Sequence, residues 1–379
     1  MLKKRIAIAI ALIICLFNTS ILTACEKVSV TELGMPTSNR FETGVLARCV
    51  WDMKIWNNAL YIGSGDYDNN TSPADIWAYD FDSGEWRCSG TVQDEAIARF
   101  SVINQSLMVP GVDPVQGWDL GNYYQLTDGE WQTKRILPNA IHTFDMIEFE
   151  DNIFAGIGSN NGYYPCLISK DGGQTYTHVK FYKNGGLYDF TQYEYSRSYE
   201  MFEFNGVLYA LVWNKVYENG VKLELFNYVN ECFHYVRDAK DFYHVNRISV
   251  NYLNAKGQFN DKFFFSSDYL YVSENLTKEE NSVKVELPYG EKVSQFKIIG
   301  DKMYVLCYEQ NIETQTYKIR MYVSESGIDD FDELFCVEYD VPPLCFDKDG
   351  RDFYVGLGDG FNVKDNNGLV LKVFVRRAK

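Results

Sequence analysis

A short apolar run behind a pair of turn-forming residues recurs along the chain. It reads NNALYIG around Leu60, NQSLMVP around Leu107, EDNIFAG around Ile153 and FNGVLYAL around Leu208. It continues as FNDKFFFS around Phe263, GDKMYVL around Met303 and GRDFYVG around Phe353. A second strand pattern lies just upstream of each: CVWDMKIW, RFSVI, TFDMIEF, YEMFEF, ISVNYL, SQFKII and LCFDKD. Downstream come a third strand and a tight turn, as in IWAYDFDSGEW, YYQLTDGEW, CLISKDGGQTY, KVYENGVKL and MYVSESGIDDF. Asp-Gly, Ser-Gly and Asn-Gly between alternating strands signal hairpins, because glycine readily supplies the positive φ that such turns need. Seven units at a period of roughly 40–55 residues predict an all-β fold, a seven-bladed β-propeller with four-stranded blades.

The last unit departs from the pattern. GLVLKVFVRRAK supplies a third strand and no fourth, while EKVSVTEL, residues 26–33, is strand-like and belongs to no unit. Pairing of that N-terminal strand with Leu369–Val375 would close the ring and leave no unpaired edge, the usual liability of β structure. The expected organisation is therefore one propeller domain over residues 25–379, with 26–33 as closing strand and blades from about residue 46.

Residues 1–24 have the layout of a secretory signal: Lys3, Lys4 and Arg5, then the apolar run Ile6 to Phe17, then Leu22-Thr23-Ala24 before Cys25. That terminal segment resembles the lipobox of bacterial lipoproteins. The resemblance implies cleavage before Cys25, a diacylglycerol thioether on its sulfur, and an exported protein held at the cell envelope by its lipid. Loss of residues 1–24 removes three positive charges and no negative one, moving the formal net charge from −16 to −19. Such an acidic body argues against nucleic acid and anionic lipid surfaces as partners. Seven cysteines then remain besides Cys15 and Cys25, scattered and without a CxxC, so most read as small buried strand residues. One bridge, such as Cys336 with Cys345, is left open.

ISKDGGQTYTHV carries Ser169, Asp171, Gly173, Thr175 and Tyr176 in the spacing Ser-x-Asp-x-Gly-x-Thr-aromatic. It resembles the Asp box, or bacterial neuraminidase repeat, and LYIGSGDYDNNTSPADIWAYDFDSGEW resembles a kelch repeat. The likeness to sialidase-type propellers is one of fold. In the repeat frame the box closes the third–fourth strand hairpin, on the face opposite the one sialidases use for catalysis. An aspartate there accepts local N–H bonds and the aromatic packs beneath the turn.

The opposite face carries the candidate chemistry. Arg48, Arg99, His142, Arg197, Arg247 and Lys292 stand near the starts of the inner strands and would converge on the channel mouth as a basic funnel. A guanidinium fork binds a carboxylate bidentately. The competing reading pairs these cations with Glu95, Glu194, Glu200 or Asp145. Trp118, Trp213, Tyr163 and Tyr308 in the neighbouring loops suit sugar stacking. The sialidase resemblance asks for a tyrosine–glutamate pair and an acid. Glu194, Tyr199 and Asp66 are the candidates, although the family's early Phe-Arg-Ile-Pro motif is missing. Asp66-x-Asp68-x-Asn70 lacks the glycine and distal glutamate of a calcium loop, so no metal and no cofactor is expected.

Three functions fit these residues. The first is a lipid-anchored monomeric propeller that binds an anionic glycan or an envelope component. The others are a glycoside hydrolase or lyase on acidic sugars, of exo-sialidase type if a hydrolase, and a scaffold with envelope-protein partners only.

Overall fold

The computed structural model describes residues 28–36, 49–65, 73–117, 119–160, 162–216, 220–242, 253–278, 281–358 and 368–376. Among the described residues, apart from two single turns of 3₁₀ helix, Phe190–Gln192 and Lys240–Phe242, every regular element is a β-strand. The two-residue turns set the hairpins. Asn57 and Asn58, Asn104 and Gln105, Glu150 and Asp151, Asn205 and Gly206, and Asn260 and Asp261 all have positive φ. That pairing twists the turn in the same sense as its flanking strands.

The all-β propeller expected from the repeat is present, but the blade count is corrected. The pattern predicts seven separate four-stranded blades; the structure has five. They begin with the inner strands Asp52–Trp56, Ser101–Ile103, Ala255–Phe259, Lys292–Ile299 and Pro343–Asp349. The strands around Ile153 and Leu208 belong instead to one continuous twelve-stranded sheet. The cause is a direct ladder between Asn152–Asn160 and Tyr193–Phe204, with Gly158 opposite Arg197 and Ser159 opposite Ser196. A repeat in the sequence counts hairpins, and it does not reveal where two neighbouring hairpins join edge to edge.

The Val28–Gly34 strand pairs antiparallel with Leu369–Val375, as fourth strand of the last four-stranded sheet. Trp86 Nε1 donates to the Leu33 carbonyl at 2.7 Å and so ties this strand to the first sheet as well. Cys336 is exposed and Cys345 buried, both as free thiols, so the bridge left open between them is not formed.

Apolar side chains fill the spaces between adjacent sheets, for example Tyr61, Ile76, Phe100, Leu107 and Tyr124 between the first two. Around the channel the inner strands are stitched by polar side chains. Asp52 accepts the Phe100 N–H at 2.8 Å, Asp145 that of Met201 at 2.8 Å and Glu200 that of Leu253 at 2.9 Å. Gln295 accepts the Phe346 N–H at 2.9 Å and Asp347 that of Ile55 at 2.8 Å. Each bond satisfies a backbone donor that the adjoining sheet leaves over, which is why acidic side chains face so enclosed a wall.

Candidate functional site

The inner strands surround a cavity of about 360 Å³ lined by Asp52, Arg99, Asp145, Lys256, Gln295 and Lys297 among others. Pro343, Leu344 and Tyr308 complete its rim. At its wall Arg99 meets Asp145 at 2.8 Å and Glu200 at 2.9 Å, and Lys256 joins both carboxylates. Two cations and two anions leave no net charge. Burial opposes ionisation of Arg99, but Asp145 and Glu200 more than offset it and hold the guanidinium pKa above its ordinary value. Burial likewise raises the Asp145 carboxyl, yet Arg99 and Lys256 hold it below the ordinary carboxylate range. This quartet joins residues on four inner strands or beside them. Its charges are occupied by one another, the chemistry of a latch.

Arg197 is placed differently. It lies mid-strand, between Gly158 on one neighbour and Trp213 on the other. Its guanidinium carbon is 4.7 Å from the Tyr195 ring, 5.8 Å from Phe144 and 6.0 Å from both Tyr199 and Trp213. It donates to the Tyr199 hydroxyl at 2.9 Å and, among the described residues, forms no ion pair. Alternation along the strand puts Tyr195 and Arg197 on one side, and Tyr195 stacks on Trp213 at 5.5 Å. Gly158 makes room for the cage: a Cβ there would stand 2.9 Å from His142 and 3.2 Å from Phe144.

His142 completes this group, its ring 5.3 Å from that of Phe144. Burial, reinforced by the positive charge of Arg197, pushes its pKa down to about 3. Its buried Nδ1 has no hydrogen-bond partner among the described residues, and Asp113 Oδ2 is 3.9 Å away. The imidazole is therefore neutral, and the cage carries the one charge of Arg197 against five rings.

The remaining sequence-derived candidates separate. Lys292 starts its inner strand as expected and pairs with Asp268 at 3.7 Å. Glu194 is exposed on the strand that carries Tyr199. Tyr199 is buried against Phe144 at 4.3 Å. Cys25, Arg48, Asp66, Trp118 and Arg247 lie outside the described residues. The inner strand assigned to ISVNYL is corrected to Ala255–Phe259, because the Asn260–Asp261 turn fixes its far end. That shift brings in Lys256, which the sequence reading missed. Among the described residues no three His, Cys, Asp or Glu side chains form a group able to hold a metal ion.

On the other face, Asp171 accepts the Gln174 and Thr175 amides at 3.0 and 2.9 Å and the Thr175 hydroxyl at 2.6 Å. Ser169 donates to Asp171 at 2.7 Å and accepts the Gly173 amide at 2.8 Å. Tyr176 is buried beneath the turn, edge-on to Tyr123 at 6.0 Å. A second clasp of this kind went unread in MYVSESGIDDF. There Ser324 accepts the Gly327 amide at 2.5 Å and bonds Asp330, which also accepts from Glu325 and Ser326.

No family model matches the chain, and no curated protein matches it. Solved structures do. An ulvan lyase of polysaccharide lyase family PL25, bound to -[GlcA(1-4)Rha3S]-, is similar over 92% of this chain and 96% of its own, with TM-score 0.53 and 10% identity. The β-propeller domain of the Trilobed protease from Pyrococcus furiosus covers 82% of this chain and 90% of its own, with TM-score 0.48 and 9% identity. The alpha-L-arabinanase of Penicillium chrysogenum covers 92% and 98%, with TM-score 0.44 and 10% identity. At these identities the likeness is one of fold. The chain is a β-propeller whose structural neighbours include carbohydrate-active propellers.

Proposed function

We propose that this chain is an exported, lipid-anchored β-propeller that binds an acidic glycan through the Arg197 cage. The observation that carries the reading is a half-buried guanidinium, free of ion pairs among the described residues and walled by Tyr195, Tyr199, Trp213 and Phe144. A carboxylate or sulfate brought to it would gain charge-assisted hydrogen bonds in a partly desolvated setting, and the rings would give sugar faces a stacking surface. The basic funnel is accordingly narrower than the sequence suggests. Among the described funnel residues Arg99 is occupied by the latch, Lys292 pairs with Asp268 and His142 is neutral, which leaves Arg197 to meet an anion.

Binding of uronate, sialylated and sulfated oligosaccharides on an array, followed by calorimetry, tests this. Arg197→Ala should abolish the preference for acidic sugars while Lys292→Ala keeps it. Equal binding of neutral and acidic sugars, or an unchanged Arg197→Ala affinity, would remove the reading. The uronate repeat named for the ulvan lyase makes a uronate oligosaccharide the first probe.

A second reading, cleavage of the same glycan, is favoured by the Tyr199 hydroxyl, which sits 2.9 Å from the guanidinium as a proton-transfer group beside the anion site. Release of unsaturated uronate ends, lost in Tyr199→Phe with binding retained, would select it.

A further inference from the structure

The propeller face opposite the cage carries a second concentration of positive charge. A cavity of about 320 Å³ lies between the last two four-stranded sheets, bounded by Lys302, Lys348, Arg351 and Arg376 with Tyr304 and Phe353. Four cations around one cavity run against the acidic balance of the chain, −16 overall. Carboxylates nearby neutralise part of this charge, chiefly at Lys302. Glu325 pairs with Lys302 at 2.9 Å, Asp352 pairs with Lys372 at 2.8 Å, and Asp301 stands beside Lys302. Lys348 is held by the Gly350 carbonyl at 2.8 Å, with its ammonium 5.0 Å from the Tyr304 ring and 5.5 Å from Phe353. Among the described residues, Lys348, Arg351 and Arg376 have no carboxylate partner. Arg351 and Arg376 are exposed.

The place of this cavity gives it meaning. Val28 stands opposite Val375 in the closing ladder, next to Arg376, and the Val375 N–H donates to the Arg351 carbonyl at 3.2 Å. Val28 is three residue steps from Cys25, so the covalent path between them spans at most about 11 Å. A lipid carried on Cys25 therefore enters the bilayer within reach of the basic cavity. Strand Pro343–Asp349 runs from this end to the rim of the central cavity, about 20 Å away at strand rise.

We propose that this pocket binds the phosphate of an anionic phospholipid headgroup, seating the two-residue-turn face on the membrane and leaving the Arg197 face turned to the medium. The inference rests on the lipid-anchored reading above. Arginine and lysine present several donors to phosphate oxygens. Juxtamembrane basic groups act within a Debye length of the surface, so this local patch acts although the body as a whole is acidic. The lipid chains hold the protein and the patch sets its orientation.

The test uses the chain from residue 25 with Cys25→Ser, so that no acyl group contributes. Sedimentation is measured with vesicles of phosphatidylcholine alone and with added phosphatidylglycerol. The wild-type surface should favour the anionic vesicles at least ten-fold, and Arg351→Ala/Arg376→Ala should lose that preference with an unchanged melting curve. Millimolar inorganic phosphate should not displace the chain; displacement would identify free phosphate as the ligand and overturn the headgroup assignment. Equal binding to both vesicles, or a double variant as good as wild type, would also overturn it. An unacylated Cys25 in the full-length chain, read by mass, would overturn the seating. Failure of the glycan reading shows in Arg197→Ala and leaves these vesicle results unchanged.

Discussion

Replacing Arg99 by methionine keeps the aliphatic stem and removes the guanidinium from the latch. Asp145 and Glu200 then lose one of the two cations they share among the described residues, and the buried cluster gains a net negative charge. Breaking a buried pair from one side costs about 3–5 kcal/mol. For a chain of this length an unfolding entropy of roughly 2.1 cal/mol/K per residue makes that a fall in Tm of about 4–7 °C. The sign with pH follows from the carboxylates. In wild type the Asp145 carboxyl is held low, so its contribution is present above the unfolded carboxylate pKa and is lost as pH falls through the folded one. In Arg99→Met one carboxylate is pushed up instead, so protonation relieves the variant and its deficit shrinks from pH 7 to pH 5. Calorimetric scans of both proteins at the two pH values measure this, and Arg99→Met/Glu200→Gln should regain part of the loss. A single variant melting within a degree of wild type at pH 7, or a deficit that grows toward pH 5, would refute the latch.

Three further outcomes follow from other parts of the molecule. Asp171→Ala should speed hydrogen exchange at the Gln174 and Thr175 amides. Because the Thr175 hydroxyl and amide hold the wild-type carboxylate well below its ordinary pKa, that protection should survive mild acid and fail only in strong acid. His142 is neutral in the fold through burial and the charge of Arg197. The unfolded chain therefore takes up a proton there below about pH 6.5. Its stability contribution is full above that pH and falls as pH drops toward about 3, and an NMR titration should show no imidazole protonation between pH 5 and 8. Deleting residues 26–33 should expose the edge of Leu369–Val375 and free the Trp86 indole, giving a lower melting temperature and aggregation by light scattering.

Much of the fold was legible because turns dominate a propeller. Asn57-Asn58, Asn205-Gly206 and Asn260-Asp261 announce two-residue hairpins through residues that tolerate positive φ, and the strands follow from them. What stayed hidden depends on partners far away in sequence. Nothing local in Asn152–Asn160 tells that it joins Tyr193–Phe204 edge to edge, and so the number of separate blades was overcounted. The site was read less well for the same reason. Basic residues near strand starts were visible, but their partners were not. Arg99 meets carboxylates 46 and 101 positions on, at Asp145 and Glu200, whereas Arg197 meets rings and a hydroxyl among the described residues. Lys256 was lost to a strand placed a few residues early, and the clasp at Ser324 and Asp330 to a motif with its aspartate displaced.

Calorimetry with a hexuronate oligosaccharide, on wild type and on Arg197→Ala, decides whether the cage is a binding site. One lost charge-assisted contact of about 1.5–3 kcal/mol corresponds to roughly 10- to 150-fold. The cage predicts a loss in that range, with binding partly restored in Arg197→Lys. Equal affinities for wild type and a folded Arg197→Ala would show that the guanidinium only props the rings apart.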